Sequence, residues 1–220
     1  MKESAFMMKS MARIYRFCHY NNAWKYQIGG GNKIKLSGAF LKGTSFDING
    51  KNNKIIIGAK ARLFHCKIKI IGDGNLLEIQ SGSTIISNTS FWMQHGKNEI
   101  VIGHDSTMEG GHLAATEGRK ILIGNDCMFS SDIEVRTGDS HSVLNALTGN
   151  RINHAEDVII GDHVWLSAHV RVMKGAVVPS HSIVGNSAIV THKLDKGNAL
   201  YAGIPARYIK DNIDWDRYLK

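Results

Sequence analysis

The sequence is poor in cysteine and proline, and each shortage narrows what the chain can be. Its three cysteines, Cys18, Cys66 and Cys127, stand far apart, are odd in number and include no CxxC pair. That excludes a disulfide framework and gives no zinc-knuckle spacing. Two prolines, Pro179 and Pro205, against 23 glycines in 220 residues describe many tight turns rather than long helices. No apolar run approaches the roughly 18–20 residues of a membrane-spanning helix. The N-terminus MKESAFMMKSMARIYRF lacks the apolar core and small-residue cleavage site of a signal peptide, so a cytoplasmic protein without a transmembrane segment is expected. Acidic residues are the scarcer charge, 19 against 27 Lys and Arg, for a formal net charge of +8. An anionic partner suits that balance. The basic residues are scattered rather than gathered with aromatics, so nucleic acid is not expected. A phosphorylated cofactor, an acidic sugar acceptor and a merely solvated basic surface all remain compatible with the charge.

What the chain does have is a period of six. From Ile160 the positions Ile160, Leu166, Val172, Val178, Val184 and Val190 are all aliphatic. Four residues after each lies Val164, Val170, Ala176, Ser182, Ala188 and Leu194. Six matches neither an amphipathic helix nor an isolated strand, so it calls for a repeating coil with one buried side chain per cell. The fold class read from this is an all-β solenoid, a parallel β-helix of hexapeptide repeats with three cells to a coil. Weaker cells precede it: Ile34, Phe40 and Phe46; Ile57 and Leu63; Ile79, Ile85 and Phe91; Ile102, Met108 and Ala114; Ile123, Phe129 and Val135. Cys127 stands four residues after Ile123, at a position for a small packed side chain.

The period also sets the boundaries. Residues 1–28 carry no hexad, and the spacing of Phe6, Met7, Met11, Ile14, Tyr15 and Cys18 predicts a short helix capping the first coil. The solenoid is assigned to residues 29–200. Residues 201–220 form a tail in which Tyr208, Ile209, Ile213, Trp215 and Leu219 predict a closing helix. Between Val135 and Ile160 the register fails, because continuing by six would bury His141 and Asn153 in an apolar corner. Residues 136–157 are therefore read as a loop leaving the solenoid, the place where function tends to sit.

The cells IGDHVW, LSAHVR, VMKGAV, VPSHSI and VGNSAI, with the DSH and GIPAR motifs, resemble the hexapeptide-repeat acyltransferases. The likeness is greatest to the O-acetyltransferases of bacterial surface polysaccharides. It implies a left-handed coil, a homotrimer with sites between subunits, acetyl-CoA as acyl donor, no metal, and a sugar or polysaccharide hydroxyl as acceptor. It also implies that the histidine opening the loop, His141, 24 residues before Trp165, is the general base. Imidazole suits that task, since a sugar hydroxyl is a weak nucleophile until its proton is accepted. Asp139 is the nearest candidate to orient His141, with Glu109, Asp132 and Glu134 as alternatives from other coils. Trp165 is implied beside the thiol end of CoA, where its indole would help to hold the oxyanion. Ala168, Gly185, Asn186 and Thr191 match positions lining the pantetheine arm. Arg207 and Lys210, with Lys193, match cations that meet the CoA phosphates, while His192 departs from the lysine that relatives often carry.

Other readings stay open beside this one. The same fold acylates amines of amino sugars or small xenobiotics, and it also serves as a metal hydratase or a non-catalytic scaffold. His163, His169 and His181 share the fourth position of their cells, and His163 and His181, eighteen residues apart, are expected to stack. The paired-histidine spacing of γ-class carbonic anhydrases is missing, so no metal is assigned. His112 is a further candidate to face the acceptor.

Overall fold

The computed structural model describes residues 30–220, and the helix expected within residues 1–28 lies outside them. The described chain contains 23 strands and no helix. Nothing in it is a helix long and apolar enough to cross a membrane. The strands stack into three sheets of seven, nine and seven, so the chain coils as a parallel β-helix of triangular section. The first sheet holds β1 (Lys33–Leu36), β4 (Lys54–Ile57), β7 (Leu76–Ile79), β10 (Glu99–Ile102), β13 (Lys120–Ile123), β16 (Val158–Ile160) and β19 (Val177–Val178). The second holds β2 (Phe40–Lys42), β5 (Arg62–Phe64), β8 (Ile85–Ser87), β11 (Thr107–Met108), β14 (Met128–Phe129), β17 (Trp165–Leu166), β20 (Ile183–Val184), β22 (Ala199–Ala202) and β23 (Arg207–Asp211). The third holds β3 (Ser45–Asn49), β6 (Lys67–Ile71), β9 (Thr89–Gln94), β12 (Gly111–Thr116), β15 (Ile133–Arg136), β18 (Arg171–Val172) and β21 (Ile189–Val190).

Register turns the hexad into columns. Ile57, Ile79, Ile102, Ile123, Ile160 and Val178 lie one above the other in the first sheet. Leu63, Ile86, Met108, Phe129, Leu166 and Val184 do so in the second, and Ile68, Phe91, Leu113, Val135, Val172 and Val190 in the third. These side chains are buried and form one continuous core. Each contributes about 1.5–3 kcal/mol by leaving water. Three of the weaker cells are corrected by one residue: Leu41, Ile86 and Leu113 join the core columns in place of Phe40, Ile85 and Ala114, although Ala114 is also buried. In the early coils the corners differ in length, seven residues from Ile79 to Ile86 and five from Ile86 to Phe91, so a constant step of six loses phase.

The corners of the regular coils explain the histidines. His163, His169 and His181 have φ of 53°, 63° and 59°, the left-handed conformation that a short polar side chain tolerates better than a branched one. A different corner in the earlier coils is held by an asparagine ladder. Asn53 Oδ1 accepts from the backbone N–H of Asn75 at 2.9 Å and from its Nδ2 at 2.9 Å. Asn75 Oδ1 accepts in the same way from Asn98 at 3.1 and 2.8 Å, and Asn98 Oδ1 ends the ladder on the N–H groups of Gly118 and Arg119. Cys66 and Cys127 are packed in the core, and burial pushes their thiols up to about 11 and about 12.

The tail differs from expectation. Residues 207–211 form no helix but a strand, β23, paired antiparallel with β22. The last coil offers an unpaired strand edge, and satisfying its hydrogen-bonding groups outweighs a local helical spacing. Trp215 is then buried against the side of the solenoid, where its indole N–H donates to the His163 carbonyl at 2.9 Å.

Candidate functional site

The chain leaves the solenoid after β15 and returns at β16, with residues 137–157 between them. At the exit the backbone passes close to its neighbours: a Cβ on Gly138 would stand 2.6 Å from Thr116 Cγ2. The excursion is held by its own polar groups rather than by a core. Leu144 and Arg151 form an antiparallel bridge across it. Arg151 reaches the corner before β13, where its two terminal nitrogens bond both Glu117 oxygens at 3.0 and 2.6 Å. That guanidinium holds the Glu117 carboxyl below the usual carboxylate range.

Asn153 is buried at the centre of the loop. Its Oδ1 accepts from the Val143 N–H at 2.7 Å and from Arg151 Nε at 3.2 Å. Its Nδ2 donates to the His141 carbonyl at 2.8 Å and to Asp139 Oδ2 at 2.9 Å. The backbone of His141 is thereby fixed on both sides while its imidazole stays exposed to solvent. Asp139 Oδ2 also accepts from Lys174 Nζ at 2.5 Å, and that ammonium is the main cause of a lowered Asp139 pKa. The pairing of Asp139 with the His141 ring expected from the sequence is thus replaced, within one chain, by Lys174 and Asn153. Two residues apart on an extended segment, the side chains of 139 and 141 face different ways. The alternatives are engaged elsewhere: Glu134 pairs with Arg136 and Arg171, Asp132 with Arg171 and His169, and Glu109 accepts from Ser130 Oγ at 3.4 Å.

Trp165 lies on the outer face of the second sheet, between Met128 and Ile183 in register, and is half-buried. It borders a groove of about 360 Å³ with Met108, Glu109, Met128 and Ser130. The tail flanks the same face. Trp215 sits 6.5 Å from Trp165, centroid to centroid, and Arg217 donates to Thr107 Oγ1 at 2.8 Å, a residue that also lines the groove. Among the described residues no hydrogen bond or ring contact joins His141 to Trp165.

The remaining candidates fall into two groups. Ala168, Gly185 and Asn186 sit at the corners of adjacent coils, where the Ser187 N–H donates to the Ala168 carbonyl at 2.9 Å and Ser187 Oγ donates to Asn186 Oδ1 at 2.9 Å. A Cβ on Gly185 would meet that of Ala202 at 3.2 Å, so only glycine leaves this stretch of backbone open. Thr191 and Lys193 are exposed on the last coil, and Arg207, which opens β23, and Lys210, its penultimate residue, are exposed as well. His112 is held against Trp92, ring centroids 6.5 Å apart, and burial followed by the nearby Arg136 lowers its pKa. With Glu109, Glu134 and Arg171 it borders a second groove, of about 540 Å³. Sequence reasoning missed Asn153, Glu117, Lys174 and the Trp215–Arg217 tail. Their roles depend largely on partners 10 to 112 residues away, for which the sequence carries no local signal.

No family model matches the chain. A polysialic acid O-acetyltransferase of Neisseria meningitidis is 33% identical over 188 residues, covering 84% of this chain and 86% of that protein. The crystal structure of the polysialic acid O-acetyltransferase OatWY superposes with a TM-score of 0.83 at 32% identity, covering 86% of this chain and 90% of that one. The polySia-specific acetyltransferase NeuO gives a TM-score of 0.76 at 30% identity, covering 86% of each chain.

Proposed function

The chain belongs to the hexapeptide-repeat O-acetyltransferases, left-handed parallel β-helices that are acyltransferases, and from that premise we propose the reaction, its donor and its acceptor. The donor is acetyl-CoA and the acceptor is a hydroxyl of an acidic surface polysaccharide of the sialic acid kind. The observation that carries this reading is a solvent-facing His141 whose carbonyl is held by Asn153, which also grips Asp139 and the Val143 N–H, on a loop leaving the solenoid. The basic balance of the chain, net +8, suits a polyanionic acceptor.

In this mechanism a neutral His141 ring nitrogen takes the proton of the acceptor hydroxyl as its oxygen attacks the thioester carbonyl. The tetrahedral intermediate collapses with cleavage of the C–S bond. The CoA thiolate leaves and recovers the proton from the imidazolium, so no net charge is left on the protein. Trp165 donates its indole N–H toward the oxyanion. Ala168, Gly185, Asn186 and Thr191 line the pantetheine arm, and Lys193, Arg207 and Lys210 meet the phosphates. Because His141 and Trp165 do not meet within one chain, the complete site draws on a second copy in a homotrimer. The outward column Val101, Leu122, Ile159 and Val177 on the first sheet, separated from Ile56 by Glu78, supplies with the exposed Leu147 apolar surface for that assembly.

The test is thiol release from acetyl-CoA in the presence of oligosialic acid, compared between wild type and His141→Asn. The variant is expected to lose about 10²- to 10⁴-fold in turnover, with acetyl-CoA binding retained by calorimetry. Unchanged turnover would remove His141 from the mechanism, and transfer to amines but not to acidic glycans would move the protein to the amine acylators.

A further inference from the structure

We propose that His163, His181 and Asp214 form a binding site for a divalent transition-metal ion of the zinc type, which fastens the C-terminal tail to the solenoid. The two histidines occupy equivalent corners of successive coils, and their rings stand 5.1 Å apart. The tail delivers Asp214 between them: its Oδ1 is 3.2 Å from His163 Nε2 and 3.8 Å from His181 Nδ1. The ligand atoms of the three residues all lie within 4.8 Å of one another. A tetrahedral ion with bonds of about 2.0–2.2 Å places its ligand atoms roughly 3.3–3.6 Å apart, which the two Asp214 distances bracket, so binding draws the two imidazoles together from within 4.8 Å. Two imidazoles and a carboxylate are a donor set suited to zinc, copper or nickel.

A separate observation points to a cation here. His163 Nδ1 lies 2.7 Å from Asp126 Oδ2, and the other oxygen of Asp126 is held by Arg217 at 3.0 Å. This is the carboxylate support that orients a metal-binding imidazole and leaves its far nitrogen as the donor. With Nδ1–H given to Asp126, Nε2 presents a lone pair. Yet Nε2 faces two more acceptors, Asp214 Oδ1 and the Trp215 carbonyl, each at 3.2 Å. Three acceptors converging on one point repel one another unless something positive lies between them. The ring cannot swing away, because Trp215 stacks on it at 4.1 Å with an interplanar angle of 10°. A metal ion satisfies all three at once and adds His181; a proton on Nε2 is the competing occupant. The stacked pair His163 and His181 was legible in their spacing of eighteen residues, but the third ligand was not, because it lies in the tail whose spacing reads as a helix.

The experiment uses untagged full-length protein freed of metal with a chelator. It is titrated with Co²⁺ by visible absorption and with Zn²⁺ by calorimetry, beside His181→Asn, Asp214→Asn and the control His192→Asn. Asparagine suits position 181, whose φ is 59°. The expected result is one saturable ion per chain, bound at least tenfold more weakly by His181→Asn and Asp214→Asn and unchanged in His192→Asn. Zinc should also raise the thermal midpoint of the wild type and not of the two ligand variants. Absence of saturable binding up to about millimolar metal, or binding that both folded variants retain in full, would overturn the site and leave a proton on His163 in its place.

Discussion

Replacing Asn153 by alanine tests whether the loop geometry serves catalysis. The side chain makes four hydrogen bonds, but two of its partners keep other attachments: Asp139 retains Lys174, and Arg151 retains Glu117. The loss that matters is the pair to the Val143 N–H and the His141 carbonyl, the two bonds that hold the backbone just after the base. Both backbone groups lie on an exposed segment, so water replaces Asn153 there and each bond counts for about 1 kcal/mol rather than the full cost of a buried orphan. About 2 kcal/mol corresponds to roughly a 30-fold shift from the pinned to the unpinned loop, at 1.4 kcal/mol per tenfold. We expect kcat to fall about tenfold and by no more than about 30-fold. The KM for acetyl-CoA should stay within about twofold of wild type, since the residues assigned to that molecule lie on the coils from Trp165 onward. Asn153→Asp should fall further, because a second carboxylate would then face Asp139. Initial rates by thiol release, with thermal midpoints as a folding control, measure all of this. A folded Asn153→Ala enzyme with wild-type kcat would show that pinning His141 contributes nothing to turnover.

Two further expectations follow, one from the loop and one from the asparagine ladder. Glu117 and Asp139 have lowered pKa values, caused first by Arg151 and by Lys174. A depressed carboxylate adds stability that is fully present above its unfolded pKa and is lost as pH falls through the folded value. The loop should therefore stay attached at neutral pH and loosen below about pH 4, seen as faster amide exchange of residues 138–152 after correction for intrinsic rates; corrected rates that stay flat down to about pH 3 would contradict this. Asn75→Ala should cost about 3 kcal/mol, because it strands the Asn98 N–H and one Nδ2 hydrogen and takes a donor from the Gly72 carbonyl, while Asn53 Oδ1 keeps the N–H of residue 75. Losing the Asn98 and Gly72 partners gives a drop of roughly 6–12 °C in thermal midpoint, and a drop of under about 2 °C would mean that the ladder does not hold the coils.

How much of this was legible depends on how far apart the interacting residues stand. The coils from Ile160 to Val190 were readable because every corner there has the same length, so one phase serves six cells. At Phe40, Ile85 and Ala114 the core-column residue was misplaced by one, because corner lengths vary and only pairing with the next coil resets the phase. The loop announced itself through the polar residues that a continued period would have buried. Inside the loop the sequence failed: the attachment of Asp139 to Lys174, 35 residues on, is a contact between coils that no spacing rule reaches. The tail failed for a related reason. Its apolar spacing suits a helix, but the open edge of β22 was the stronger partner.

The reversed strand β23 also decides what the end of the solenoid can join. A stack of parallel coils is open by nature, since a second molecule added by simple translation would continue all three sheets. With β23 running against its neighbours, one of the three terminal edges no longer has the direction that translation requires. Another molecule could pair there only after turning over, which yields a closed pair instead of a growing chain. The short hairpin thus gives this end of the molecule a polarity of its own, with one of its three edges reversed.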